Sequence, residues 1–299
     1  MKTIMGCIFT IFVIMTTLQS GALADPWTIS LDMGLNLSQN SYSDNWEGGD
    51  VGSMAWMALA NGIFEKQVSP KFNFKNITKL QFGQTHTQDQ TTKNWQKPIK
   101  STDKIDIENL GRFTLKAWVD PYVAFRLETQ FLDASYEPLK RALNPMLLTE
   151  SAGIAKTLFS RNKDQILTRL GLSLRERLNR VIPGTPEDTL TENTELETTT
   201  EGGLESVTDV QYKLASNISY IGKLSLFKAL FFSKKNEFEG TPAADYWKTV
   251  DANFENGLSV AFSKYVSLSF YAQLLYDKQI DLKGRFKETF GLGLTYKMI

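Results

Sequence analysis

From Trp247 to the end of the chain nearly every second residue is apolar, in three consecutive segments separated by short interruptions. The even positions carry the pattern: Val250, Ala252, Phe254, Leu258, Val260 and Phe262; then Val266, Leu268, Phe270, Ala272, Leu274 and Tyr276; then Phe286, Phe290, Leu292, Leu294, Tyr296 and Met298. The odd positions between them are mostly polar or small, as at Asp251, Asn253, Glu255, Ser267, Ser269, Gln273, Gly291 and Gly293. A strand points successive side chains to opposite faces, so this is a sheet with one apolar and one polar side. In a soluble protein the apolar side would be the core. In a closed barrel with a watery lumen it would face lipid.

The amino terminus helps to choose. Lys2 precedes an apolar run from Ile8 to Met15, and Ala22-Leu23-Ala24 before Asp25 has the small-x-small form of a signal-peptidase site. Residues 1–24 are thus expected to be a signal peptide and 25–299 one barrel domain. Cys7, the only cysteine, lies ahead of the apolar run and leaves with it, so it is no lipid anchor and the mature chain has no disulfide. The 33 Lys+Arg, less Lys2, stand against 33 Asp+Glu, so there is no basic excess to suggest nucleic acid. No later stretch approaches the roughly 18 to 20 apolar residues of a membrane helix. A membrane crossing would therefore be made as a barrel.

The same rule reads the earlier segments. Trp27, Ile29, Leu31, Met33, Leu35 and Leu37 alternate with polar or small neighbours, whereas Ser53 to Ile63 is apolar on both faces and its phase is open. Phe72 to Gln84 alternates on even positions. Ile105, Ile107, Phe113, Leu115 and Val119 mark a strand whose partner runs through Val123, Phe125, Leu127 and Phe131, with Asp120-Pro121 as the turn. Leu147 to Ser160 alternates weakly. Ile166 to Val181 resembles an amphipathic helix in composition, but Leu170, Leu172, Leu174 and Leu178 fit period two, with Arg169, Ser173, Arg175, Arg177 and Asn179 opposite. Val210 to Tyr220 begins a strand that turns at Ile221-Gly222-Lys223 into Leu224 to Ser233. The total is about twelve, an even number as in bacterial single-chain barrels.

The connections fall into two classes. Short ones stand at Asp120-Pro121, Arg161 to Asp164, Gly222 and Ser263-Lys264, with Phe64 to Lys71 moderately longer; long ones run over Gln39 to Gly52, Thr85 to Lys104, Tyr136 to Pro145, Pro183 to Gly203 and Lys234 to Tyr246. Short periplasmic turns against long external loops are expected of an outer-membrane barrel. The expected fold is all-β, a closed antiparallel up-and-down transmembrane β-barrel with both termini periplasmic.

Several short motifs recur in order: Asn45-Trp46-Glu47-Gly48-Gly49 followed by Ser53, Lys100-Ser101-Thr102-Asp103-Lys104-Ile105, Tyr122, Thr129-Gln130-Phe131, Asp251-Ala252-Asn253-Phe254-Glu255-Asn256 with Lys264-Tyr265, Leu275-Tyr276-Asp277, and Phe286-Lys287-Glu288 before Gly291-Leu292-Gly293-Leu294. Together they resemble a domain-of-unknown-function family of uncharacterised outer-membrane barrels, found chiefly in Bacteroidota-type bacteria. The resemblance spans nearly the whole mature chain. It implies location and fold and supplies no catalytic residues. One departure is that outer-membrane strands commonly end on an aromatic residue, whereas this chain ends Tyr296-Lys297-Met298-Ile299.

Catalytic chemistry finds little support. Outer-membrane phospholipases use a Ser-His pair two residues apart on one strand. The only histidine here, His86, has Gln84 and Gln88 in those places and is read as the solvated rim of a long loop. Asp251 and Glu255 share a face, but four residues put them about 13 Å apart, beyond the roughly 5 to 9.5 Å of a paired acid and base. The acidic stretch Glu187, Asp188, Glu192, Glu195, Glu197 and Glu201 matches no defined calcium loop and is read as a mobile solvated loop. No catalytic, cofactor or metal residue is therefore assigned.

What remains are charges expected to line the lumen: Asp32, Arg112, Lys116, Arg126, Glu128, Arg169, Arg175, Arg177, Asp209, Lys213, Asp251 and Glu255. They can pair into a network that fills the barrel or line a narrow aqueous path. Three functions stay open: a channel for small polar solutes, a plugged barrel with a structural or interaction role, and a membrane-lipid hydrolase. Expected partners are outer-membrane lipid, lipopolysaccharide and the barrel-assembly machinery. Trp27, Tyr220, Tyr265 and Tyr296 are expected at the membrane interfaces.

Overall fold

The structure, a computed structural model, describes residues 26–43, 50–136, 139–161, 164–182, 194–263 and 265–298, the stretch 295–298 by its backbone. The expected signal peptide with Cys7, the Trp46 motif and Ile299 lie outside these residues. Period-two segments have become long strands, β1 (Thr28–Asn40), β2 (Ser53–Ser69), β3 (Phe72–Thr87), β4 (Ile99–Arg112) and β5 (Asp120–Thr129). A small hairpin, β6 (Leu132–Asp133) with β7 (Arg141–Ala142), follows. The wall resumes with β8 (Met146–Arg161), β9 (Asp164–Val181), β10 (Glu195–Ala215), β11 (Ile218–Phe232), β12 (Val250–Ala261), β13 (Val266–Tyr276) and β14 (Arg285–Met298). All except β6 and β7 join, each antiparallel to its neighbours, in a closed barrel of twelve strands that β1 and β14 complete.

Side-chain alternation sorts outside from inside. Leu170, Leu172 and Leu174 are exposed on the outer wall, Leu172 at 64%, while Arg169 just before them is 2% exposed. Phe286, Phe290, Leu292 and Leu294 repeat the outward stripe on β14. The strand reading of Ile166 to Val181 thus holds, because a helix would have spread those leucines around its axis. On β2 the open phase resolves. Asn61 and Leu59 face inward opposite Asp32 and Gly34, while Trp56, Ala58 and Ala60 face out.

The two ends differ. Five connections, over 70–71, 113–119, 162–163, 216–217 and 262–265, lie at the end that also holds both ends of the described wall. The opposite end carries intervals 41–52, 88–98, 130–145, 182–194, 233–249 and 277–284. The expected asymmetry is present, but several boundaries move. Asp120-Pro121 opens β5 instead of turning, and the turn is 113–119, since proline is tolerated as the first residue of a strand. The turn placed at Gly222 is at Ser216-Asn217, and Gly222-Lys223 lie inside β11. β2 continues to Ser69, and β4 begins at Ile99, leaving the loop placed at Thr85 to Lys104 only 88–98. The supposed loop Pro183 to Gly203 is strand from Glu195 onward, so Glu195, Glu197 and Glu201 belong to β10, while residues 183–193 lie outside the described ones.

Several bulges adjust the phase in ways that alternation alone misses, two of them toward the long loops. Between Gly202 and Gly203 the register with β11 shifts by one residue, so that Leu230 and Phe231 are both exposed. A second shift at Gly83/Gln84 changes the phase of β4 near Ser101. Midway along β8 and β9, Gly153 pairs with Gly171, and Tyr122 from β5 lies beside them. A Cβ on Gly171 would stand 2.8 Å from the Tyr122 hydroxyl, so glycine is what admits the ring. Tyr122 packs there with Leu110, Ala155 and Leu167, an apolar cluster inside the barrel.

Candidate functional site: an ion-pair network in the lumen

Two linked clusters of charge fill the interior. In the first, Glu255 from β12 accepts hydrogen bonds from Lys79 of β3 at 3.0 Å, Lys104 of β4 at 3.0 Å and Arg126 of β5 at 3.3 Å. Tyr271 of β13 donates its hydroxyl to the same carboxylate at 2.9 Å. Asp106 takes both arms of Arg126, at 2.9 and 2.8 Å, and stands 3.5 Å from Lys104. Arg126 also reaches Glu128 at 3.0 Å. A fork of two parallel N–H donors onto one carboxylate fixes Arg126 in place.

The second cluster joins Glu108 of β4 to Arg169 of β9 at 2.7 Å and to Lys223 of β11 by a short contact. Arg169 continues to Asp209 of β10 at 2.9 Å. Five cations, Lys79, Lys104, Arg126, Arg169 and Lys223, thus meet five carboxylates, Asp106, Glu108, Glu128, Asp209 and Glu255. The balance matters because an isolated buried charge is prohibitively costly, whereas a paired and hydrogen-bonded one is tolerated. A cavity of about 10 Å³ beside Glu108, Arg126, Glu205 and Lys223 has room for about one water.

Further contacts tie other heights of the wall. Arg175 lies 3.2 Å from Asp251 and stacks 3.7 Å from the Phe227 ring centroid. Arg112 donates to Thr157 at 2.8 Å and stands 4.0 Å from Asp120. Lys75 bridges to Glu65 at 3.6 Å and donates to Gln165 of β9 at 3.4 Å. Above the network, toward the long loops, Glu128 and Arg177 border a vestibule of about 250 Å³ with Gln130 and Leu147.

Of the charges expected in the lumen, Arg126, Glu128, Arg169, Arg175, Asp209, Asp251 and Glu255 meet in ion pairs there, and Arg112 and Arg177 line it. Asp32 faces inward on β1, and Lys213 stands exposed at the turn end of β10. Lys116 is a correction: it sits exposed in the 113–119 turn at φ 58°, off the wall altogether. Lys79, Lys104, Asp106, Glu108 and Lys223 were missed. Lys104-Ile105-Asp106-Ile107-Glu108 alternates charge with isoleucine and could have revealed three of them, while the misplaced Gly222 turn hid Lys223.

His86 lies within β3, opposite Met54 on the outward side, one residue from the strand end that borders the 88–98 loop. Among the described residues no group of three or more His, Cys, Asp and Glu is arranged to hold a metal ion.

A family profile described as "Protein of unknown function (DUF3078)" matches residues 37–135. Among curated proteins none matches. Similar solved structures include the translocator domain of the autotransporter NalP from Neisseria meningitidis, at 10% identity and TM-score 0.37, covering 99% of this chain and 96% of that one. The COG4313 outer membrane channel from Pseudomonas putida F1 is 12% identical with TM-score 0.39, covering 94% and 97%. The outer membrane channel DcaP of Acinetobacter baumannii is 8% identical with TM-score 0.30, covering 94% and 99%.

Proposed function

We propose that this chain is a plugged outer-membrane barrel with a structural or interaction role, its lumen closed by ion pairs and its long loops directed outward. Membrane placement is supported by the exposed apolar stripe around the outer wall and by closure, in which every barrel strand pairs with two neighbours. Trp27, which Lys66 approaches to 5.7 Å, and Trp118, which Lys156 approaches to 3.8 Å, flank the short-turn end as interfacial aromatics do. Outer-membrane lipid and lipopolysaccharide would then surround the wall, and the barrel-assembly machinery would insert it.

The observation that carries the plugged reading is Glu255. Its carboxylate on β12 collects cations from β3, β4 and β5, so the network spans the interior instead of lining it. A solute path through that point would require buried charge pairs to part. The test is single-channel conductance of the refolded mature chain in a planar bilayer, after heat-modifiable gel migration has established a folded barrel. Silence is expected. Stable ion-selective steps would overturn the plug and favour the second reading, a narrow conduit, which the half-buried inward residues Ser267, Ser269, Gln273 and Thr289 of β13 and β14 support. Among the described residues, lipid hydrolysis has no corresponding arrangement around His86.

A further inference from the structure

The barrel closes unevenly. β1 and β2 pair along the whole of β1, from Thr28↔Glu65 to Asn40↔Ser53, whereas β1 and β14 pair only from Leu31↔Met298 to Leu35↔Leu294. Toward the long loops, Asn36–Asn40 of β1 and Arg285–Gly293 of β14 run on without a ladder between them. The Asn36 side chain lies against Gly291 and Gly293, and its Nδ2 is buried without a hydrogen-bond partner. Unpaired backbone at membrane depth is costly. A seam that keeps it is the place where the wall parts most easily.

What lies behind that seam differs from the rest of the lumen. Ala55, Met57 and Leu59 of β2 face inward and are only half-buried, with Leu59 lying over Gly34 of β1. Two cations stand on the same side of the barrel, at the loop end of β14. Arg285 has Nε and Nη2 buried without partners, and Lys287 donates across the barrel to Thr102 of β4 at 3.1 Å. Thr102 shares a row with Met57 through Gly83 of β3, so the ammonium extends to the row that holds the middle of the strip. Among the described residues neither cation has a carboxylate within 4.0 Å, although every cation of the central network is paired.

We propose that the β1–β14 seam is a lateral gate through which an amphiphile with one acyl chain and an anionic head enters from the outer leaflet, its chain along Ala55, Met57 and Leu59 and its head at Arg285 and Lys287. Charge complementarity selects an anion, and the apolar strip selects the chain. The gate rests on the membrane-spanning reading above and is independent of whether the far half of the lumen conducts.

The test uses the refolded mature chain in lipid nanodiscs carrying tritiated palmitate or, separately, tritiated hexadecanol, with label per barrel counted after gel filtration. Heat-modifiable migration is required first, and its failure in the unsubstituted chain would tell against the barrel and not the gate. Palmitate should be retained well above hexadecanol, and R285Q/K287Q should lower its retention about tenfold, since charged hydrogen bonds are lost. In the otherwise cysteine-free mature chain, a disulfide between L37C and L292C should abolish uptake and its reduction restore it. Equal retention of acid and alcohol, or indifference to R285Q/K287Q, would overturn the anionic site. Undiminished uptake in the oxidised L37C/L292C barrel would overturn entry through the seam.

Discussion

The wall from β3 to β11 and the wall around the β1–β14 seam obey the same alternation, yet their inward faces are opposites. On the first, every barrel strand buries at least one inward side chain, among them Lys75, Glu108, Tyr122, Thr149, Arg169, Val207 and Phe227. Among the described residues of β1, β2, β13 and β14, only two glycines, Gly62 and Gly291, are buried. One side is a packed core made largely of charge, and the other is an accessible inner surface. The difference lies in what alternates with the outward apolar residues. On the packed side long side chains of both signs reach across and pair, whereas many inward positions around the seam are serines, glycines and an apolar strip too short to cross, with Tyr271 and Lys287 as long exceptions.

The largest expected effect separates these sides directly. Glu255→Ala removes the carboxylate on which Lys79, Lys104 and Arg126 converge, leaving three cations to Asp106 and Glu128. Removing one partner of a buried pair costs about 3–5 kcal/mol. Asn36→Ala on the seam deletes an amide whose Nδ2 has no partner and should stay within about 0.5 kcal/mol of the parent. Urea unfolding of the two variants in bilayers reads both values. Comparable losses would mean that the packed side does not dominate stability.

Somewhat smaller is the effect of Gly171→Val. The new side chain would meet the Tyr122 hydroxyl and the Ala152 carbonyl, displacing the ring from the apolar cluster with Leu110, Ala155 and Leu167. Overpacking of this kind costs about 1–3 kcal/mol. A second change, Tyr122→Ala in the same chain, should remove most of the penalty due to the hydroxyl. Additive losses in the urea midpoints would show that the clash is with the backbone alone.

The side that packs was the more legible in sequence. Arg169, Arg175 and Arg177 declare their face because Leu170, Leu172, Leu174 and Leu178 hold the opposite one, and Arg126 and Glu128 do so beside Phe125 and Leu127. Twelve strands and the uneven loops follow from the same pattern. What stayed hidden depends on pairing across the barrel. Nothing local says that Glu255 meets Lys79, because that contact is set by closure and stagger. Prolines and glycines misled where they suggested turns. Pro121 begins a strand, and Gly222 fits inside one beneath Tyr220. Ser53 to Ile63 had no clear phase because its inward face is apolar too, and that ambiguity marks the unusual strip behind the seam.

Hydrogen exchange offers a finer measure of the contrast. The seam-facing amides of Asn36–Asn40, beyond the end of the β1–β14 ladder, should exchange about tenfold or more faster than ladder amides of β4 and β9 at the same depth. Residue-resolved exchange by NMR in nanodiscs checks this. Uniform protection around the barrel would show that the seam is held as firmly as the remaining wall.

The least effect is expected at the loops, where a hairpin lies over the packed side. The β6–β7 hairpin is held by Asp133, which pairs with Arg141 at 2.7 Å and accepts from the buried Asn144 at 2.8 Å. Arg141 and Asn144 in turn reach the end of β9 through the Arg180 carbonyl and Asn179. Burial opposes the Asp133 charge, but hydrogen bonds from Asn144 and Ser135, with Arg141, outweigh it and hold the carboxyl below its ordinary 3.8. A depressed folded value means that the stabilisation is complete above the unfolded value and fades as pH falls through the folded one. Acidification below about 3.8 should therefore loosen this hairpin, and Asp133→Asn should remove that pH dependence. Limited proteolysis with pepsin across this range reads it as cleavage between β5 and β8. Because the hairpin is tied to β9, and among the described residues no hydrogen bond or ion pair joins it to β1 or β14, exchange at the seam should not follow the same titration. A seam that opened in step with hairpin cleavage would show that the two sides of the barrel are coupled.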